Sequence, residues 1–167
     1  GLQDERILNI ETDWSNPNVI YAGSYADFSA GKVGYIFKTT NNGTTWDTLF
    51  AGISVSDIDI NPKNNKMLLV CCNPNALTQH GILKTTDAGG TWVWADSGIT
   101  MTWEVGPILV EFSPNLDSII YVSVHGAHPG NFYKTTNYGV SWQGIGTNTY
   151  LLDGVVTIAI NPHNDNE

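Results

Sequence analysis

Four acidic residues recur at spacings that would gather carboxylates if the segments carrying them lay side by side. Glu11, Asp59 and Glu111 hold matching places near the ends of short, alternating apolar runs, with Ala159 at the fourth such place. Asp57 lies two residues before Asp59, on the same face of an extended segment. Repeated carboxylates can bind a cation or divide acid and base roles, and they can equally accept hydrogen bonds from strand-end backbone. A second set mixes rings with ionisable groups. Tyr25, Asp27 and Phe28 belong to one stretch, His80 to another, and His125 and His128 to a third; Trp94, Asp96, Trp103, Glu104, Tyr150 and Asp153 fall between repeats. Aromatic faces beside carboxylates and imidazoles suit a neutral carbohydrate, and exposed aromatics serve protein interfaces equally well. His125-Gly126-Ala127-His128 offers two imidazoles at a spacing of three without a helix or a third ligand. No metal, cofactor or catalytic residue is therefore assigned.

The charge balance narrows the partners. Seven basic against sixteen acidic residues give a net charge of −9, with no Lys/Arg cluster. Such a surface repels phosphate backbones and anionic headgroups, which argues against nucleic acid and membrane surfaces. The apolar runs are strand-sized, too short for a spanning helix, so no membrane insertion is expected. Cys71 and Cys72 are adjacent; in an extended segment their side chains point to opposite faces, so the expectation is two buried thiols and no mutual disulfide. Asn42-Gly43-Thr44 matches a glycosylation sequon but sits inside a recurring turn.

The elements that must position these residues are announced by repetition. KTTNNGTTW ends at Trp46, KTTDAGGTW at Trp92 and KTTNYGVSW at Trp142, with the tryptophans 46 and 50 residues apart. A second marker keeps step: Asn61-Pro62, Ser113-Pro114 and Asn161-Pro162, with Asp13-Trp14 in the first copy. Aligned on it, Ile10, Ile58, Val110 and Ile158 coincide, as do Thr12, Ile60, Phe112 and Ile160. Each copy holds four strand-like runs bounded by Gly, Pro and Asn turns, in the second copy about 55–60, 67–72, 81–86 and 91–95. Four short strands per repeat of about 45 residues mark a β-propeller blade more than a β-sandwich, which would not demand such repetition. The reading is all-β: about three four-stranded blades (about 6–50, 54–96 and 106–147) and the first strand of a fourth within 154–167.

The turn reads Thr-x-Asn/Asp-x-Gly-x-Thr/Ser-Trp. Asn41, Asp87 and Asn137 can cap backbone N–H groups ahead of them, and Thr39, Thr85 and Thr135 can add a hydroxyl contact. Gly43, Gly89 and Gly139 stand where a positive φ is required, and Trp46, Trp92 and Trp142 are apolar anchors beneath the hairpin. The pattern resembles the Asp-box, or BNR, repeat of sialidases, xyloglucanase-type glycoside hydrolases, sortilin-type receptors and photosystem II assembly factors, and the resemblance covers essentially the whole chain. It implies a propeller in which the box is structural and not catalytic. Two copies carry Asn in place of the usual Asp. A sialidase would use three arginines on a substrate carboxylate, and Arg6 stands alone. The aspartate-bearing Thr-Asp-Val-Gly-Gly stretch of the xyloglucanase type is absent; the closest text, Thr86-Asp87-Ala88-Gly89-Gly90, is a box turn.

Propellers close with about four to eight blades, so the remaining blades of a parent chain are the expected partners. The expected function is a non-catalytic module of a secreted or cell-surface protein, with a signal peptide upstream, binding protein or polysaccharide. The alternative is part of a xyloglucanase-like hydrolase whose catalytic carboxylates lie elsewhere.

Overall fold

The computed structural model describes residue 2 and residues 5–73, 80–99, 106–125, 132–145 and 158–161. Its strands are β1 (Ile7–Thr12), β2 (Ile20–Ser24), β3 (Gly34–Thr39), β4 (Asp47–Ile60), β5 (Leu68–Asn73), β6 (Ile82–Thr85), β7 (Val93–Trp94), β8 (Gly106–Phe112), β9 (Ile120–His125), β10 (Phe132–Thr135) and β11 (Gln143–Ile145). Among the described residues the sole helical element is a 3₁₀ turn at Phe28–Ala30. Every neighbouring pair is antiparallel, and strands follow one another in space as in sequence.

One feature departs from the expected pattern. The outer strand of the first blade and the inner strand of the second are one continuous strand, β4. Asp47–Ile53 pairs with β3 and Ser54–Ile60 with β5. No proline interrupts that stretch, and at the hand-over Gly52 takes a φ of 92°, a conformation glycine adopts readily, where the chain passes from one partner strand to the other. The third blade, β8 to β11, is a separate four-stranded sheet. The strand read at Val155–Ile160 falls partly outside the described residues. Ile158, Ala159 and Ile160 face Tyr121, Phe132, Lys134 and Ile145 of the third blade across a cavity of about 420 Å³.

The core lies between blades. One layer joins Tyr21 and Ile36 of the first blade to Ile58, Ile60, Leu68, Val70 and Leu83 of the second. The next joins Leu69, Ile82 and Ala95 to Val110, Phe112, Ile120, Val122 and Trp142. Strand alternation sends Cys72 into the first layer and Cys71 into the second, both free and buried. Burial pushes the Cys71 thiol well up and that of Cys72 to about 12, so neither is a ready nucleophile.

All three box turns share one hydrogen-bond plan. The Thr39, Thr85 and Thr135 hydroxyls accept from the backbone N–H two residues on (3.2, 3.3 and 3.2 Å) and from the glycine N–H four residues on (3.0, 3.0 and 3.2 Å). They donate to Asn41, Asp87 and Asn137 Oδ1. Those oxygens in turn accept from Thr45, Thr91 and Ser141 N–H. In the Asn copies the amide donates to the Thr45 or Ser141 hydroxyl, whereas in the Asp copy the Thr91 hydroxyl donates to Oδ2, so the motif tolerates either residue.

The residue before each glycine also takes a positive φ: Asn42 at 54°, Ala88 at 60° and Tyr138 at 58°. Each donates its N–H to the second marker turn, at Asn18, Lys66 and Ser118 O, so the two sequence markers are physically joined in every blade. Gly89 takes a φ of 95°, which explains the glycine, and a Cβ there would also press on the Leu49 side chain of the preceding blade.

The indoles reach further than their own hairpins. Trp142 donates Nε1–H to Ala95 O of the preceding blade at 2.6 Å, and Trp92 packs against Phe50. Because Asn serves in two boxes, Asp87→Asn is expected to hold stability within about 0.5 kcal/mol. Asp87→Ala, which removes the acceptor, should cost about 1–3 kcal/mol in chemical denaturation. Equal losses for the two variants would contradict the shared plan.

Candidate functional site

Antiparallel pairing puts the β2–β3, β5–β6 and β9–β10 connections at one end of the sheets and the box turns at the other. At the first end, the β2–β3 connection forms a cleft of about 450 Å³. Glu5, Arg6, Tyr25, Asp27, Lys32 and Tyr35 line it. The Arg6 guanidinium lies 5.0 Å above the Tyr25 ring, and Tyr25 N–H donates to Arg6 O at 2.8 Å. Asp27 Oδ1 accepts from the Ser29 hydroxyl (2.6 Å) and from Ala30 N–H (3.1 Å). These bonds, the Ser29 hydroxyl foremost, keep its carboxyl below the usual range, so it is anionic. Phe28 is exposed in the 3₁₀ turn.

A second group at the same end comes from the next blade. The His80 ring stacks on Trp94, with centroids 4.9 Å apart and planes 15° apart. His80 Nδ1 faces both Asp96 oxygens at 3.1 Å, and Asp96 also accepts from Gly81 N–H. Trp94 belongs to β7, where Phe50 packs edge-on against it at 6.4 Å. Neither Tyr25 nor Trp94 therefore offers two bare ring faces. His125 is the exposed last residue of β9. Trp103, Glu104, His128, Tyr150 and Asp153 lie outside the described residues.

Arg6, Lys32 and Tyr35 were missed in the sequence reading because each looks like an ordinary strand-edge residue. The register carries the signal: β1 pairs with β2 from Ile7↔Ser24, so the residue before β1 must lie beside the residue after β2.

The acidic row is brought together as the matching positions suggested. Asp57 Oδ1 accepts from Asn9 Nδ2 of the first blade (2.6 Å), and Oδ2 from Val110 N–H of the third (2.9 Å). Asp59 Oδ2 accepts from Phe112 N–H at 2.7 Å. These carboxylates occupy the N–H groups that an innermost strand would otherwise leave unpaired at its free edge. Among the described residues no three His, Cys, Asp or Glu are placed to hold a metal ion.

Solved structures with the same arrangement identify the architecture. A GH74 enzyme from Niastella koreensis superposes with a TM-score of 0.68 at 23% identity, over 85% of this chain and 23% of that one. An auxiliary nutrient binding protein from Bacteroides thetaiotaomicron gives 0.67 at 12% identity, over 95% of this chain and 34% of that one. A YCF48 protein bound to a D1 peptide gives 0.56 at 15% identity, over 84% of this chain and 40% of that one. The fold is a β-propeller type. This chain spans about a quarter to two fifths of the length of those propellers. No family model matches it, and no curated protein matches it.

In propeller terms the acidic row sits on the inner strands β1, β4 and β8, each beside the next. Burial, foremost, raises these groups: Asp59 to about 8, Glu11 to about 7, Asp57 to about 6, and Glu111 upward. Neighbouring carboxylates add to the rise at Glu11, Asp59 and Glu111. Each folded group holds its proton more tightly than the unfolded chain does. Their contribution is complete below about pH 4 and is lost as pH rises through about 6 to 8. Thermal melts should show this loss across that window, and Glu11→Gln should flatten the slope. Unchanged slopes in the variant would show that Glu11 is not part of the coupled set.

Proposed function

We propose that this chain is part of a non-catalytic propeller module of a secreted or cell-surface protein. It binds protein or glycan through the end carrying the β2–β3 and β5–β6 connections, and the remaining blades come from the rest of the parent. The observation that carries this reading is the Tyr25–Asp27 cleft, where ionisable groups of both signs and two tyrosines converge on a volume within the ~300–1,000 Å³ range of ligand sites. The His80–Trp94–Asp96 group extends the same end. The likeness to a nutrient binding protein and to a peptide-bound YCF48 protein supports a binding role.

A hydrolase reading has one observation in its favour, the half-buried carboxyl groups of Glu11 and Asp59, raised to about 7 and about 8. Asp57 and Asp59 are, however, spent on backbone N–H groups of the neighbouring blade. Screening the purified chain against glycan and peptide arrays should yield a ligand whose affinity falls about tenfold or more in Tyr25→Ala or Trp94→Ala, about 1.4 kcal/mol or more. A ligand indifferent to both substitutions would remove this end as the site. Release of reducing ends from a β-glucan, abolished by Asp59→Asn, would replace the binding reading with the hydrolase one.

A further inference from the structure

We propose that the cleft at the β2–β3 connection binds a bipolar peptide segment, taking a carboxylate of the peptide between Arg6 and Lys32 and an adjacent cationic group against Glu5 and Asp27. This deepens the binding reading above and rests on it. The choice of ligand follows from which surfaces are already spent. A sugar stacks on a bare aromatic face, and the Arg6 guanidinium on Tyr25 and the His80 ring on Trp94 each take one of the two faces that ring could offer. What projects from the Tyr25 platform is a planar fork of N–H donors, held over the ring by cation–π attraction and so already ordered for bidentate contact with a carboxylate.

Among the described residues the one ion pair is His80–Asp96, so no described residue closes Glu5, Arg6 or Lys32 into a short ion pair. Lys32 adds a second cation on the cleft wall. Its field acts on Asp27, whose Oδ1 is already committed to Ser29 and Ala30. A simple anion fits poorly, because Glu5 and Asp27 line the same cleft and the chain as a whole carries −9. Two cations and two carboxylates lining one cleft call for a ligand carrying both signs close together. Tyr25 and Tyr35 supply walls on which the intervening backbone and methylenes can pack.

The test is a titration of the 167-residue chain with acetyl-Ala-Glu-Lys-Ala amide, followed by NMR shift perturbation, beside the Gln-for-Glu and the Gln-for-Lys versions of the peptide. Shifts should centre on Arg6, Tyr25, Lys32 and Tyr35. Either neutral replacement should weaken binding about fivefold or more, as should Arg6→Gln and Lys32→Gln, and added salt should weaken it further. Arg6→Lys, which keeps the charge and loses the fork, should recover part of the affinity. If the wild-type chain does not respond to the peptide, or responds equally to its neutral versions, this assignment is overturned. A glycan or peptide from the arrays that still binds, with shifts at His80 and Trp94, would leave the broader binding reading standing. Silence in both experiments would remove both.

Discussion

The buried hydroxyl of Thr39, Thr85 and Thr135 is the hinge of the whole assembly. It accepts two backbone N–H groups and donates to the Asn or Asp two residues on, so one oxygen holds the backbone of a turn that would otherwise bury unpaired donors. With that turn fixed, a left-handed pair of residues becomes affordable, and the first of the pair donates to the marker turn opposite. In the second and third boxes the indole that follows then meets the preceding blade. Each box consequently closes its own hairpin and prepares a surface for its neighbour at once.

Contacts between blades obey a similar economy. Lys38 donates to Ala88 O and Lys84 to Tyr138 O, so the lysine opening each box in the first two blades reaches the left-handed residue of the next. Inner-strand carboxylates do the same job at the other side of the interface, accepting the backbone N–H groups of the following strand. The apolar layers between them are ordinary strand faces. Ile10 marks the difference a neighbour makes: it is 60% exposed, whereas Ile58 and Val110 at the corresponding places are each 2% exposed beneath the blade before them.

Much of this was legible in the residues. The repeat, the Asn/Asp equivalence in the box and the opposed thiols follow from spacing and from the two-residue period of a strand, and local rules decide all three. What stayed hidden depends on register and on neighbours. Arg6 reads as a lone charge until β1 is set against β2, and Trp94 reads as a free ring until His80 is folded over it. The continuous β4 was hidden for another reason. The first two blades were read as separate at about 50 and 54, but the chain passes from one sheet to the next within a single strand, through Gly52 at a φ of 92°.

That shared strand has a consequence for how the molecule comes apart. Asp47–Ile53 is held by β3 and Ser54–Ile60 by β5, on either side of Gly52 at a φ of 92°, so either half can open while the other stays paired; the first two blades share a chain segment and not a ladder. The third is tied on by side-chain contacts and by a connection, without a common strand. Amide protons of β3, β5 and β9 should therefore each exchange on the schedule of their own blade.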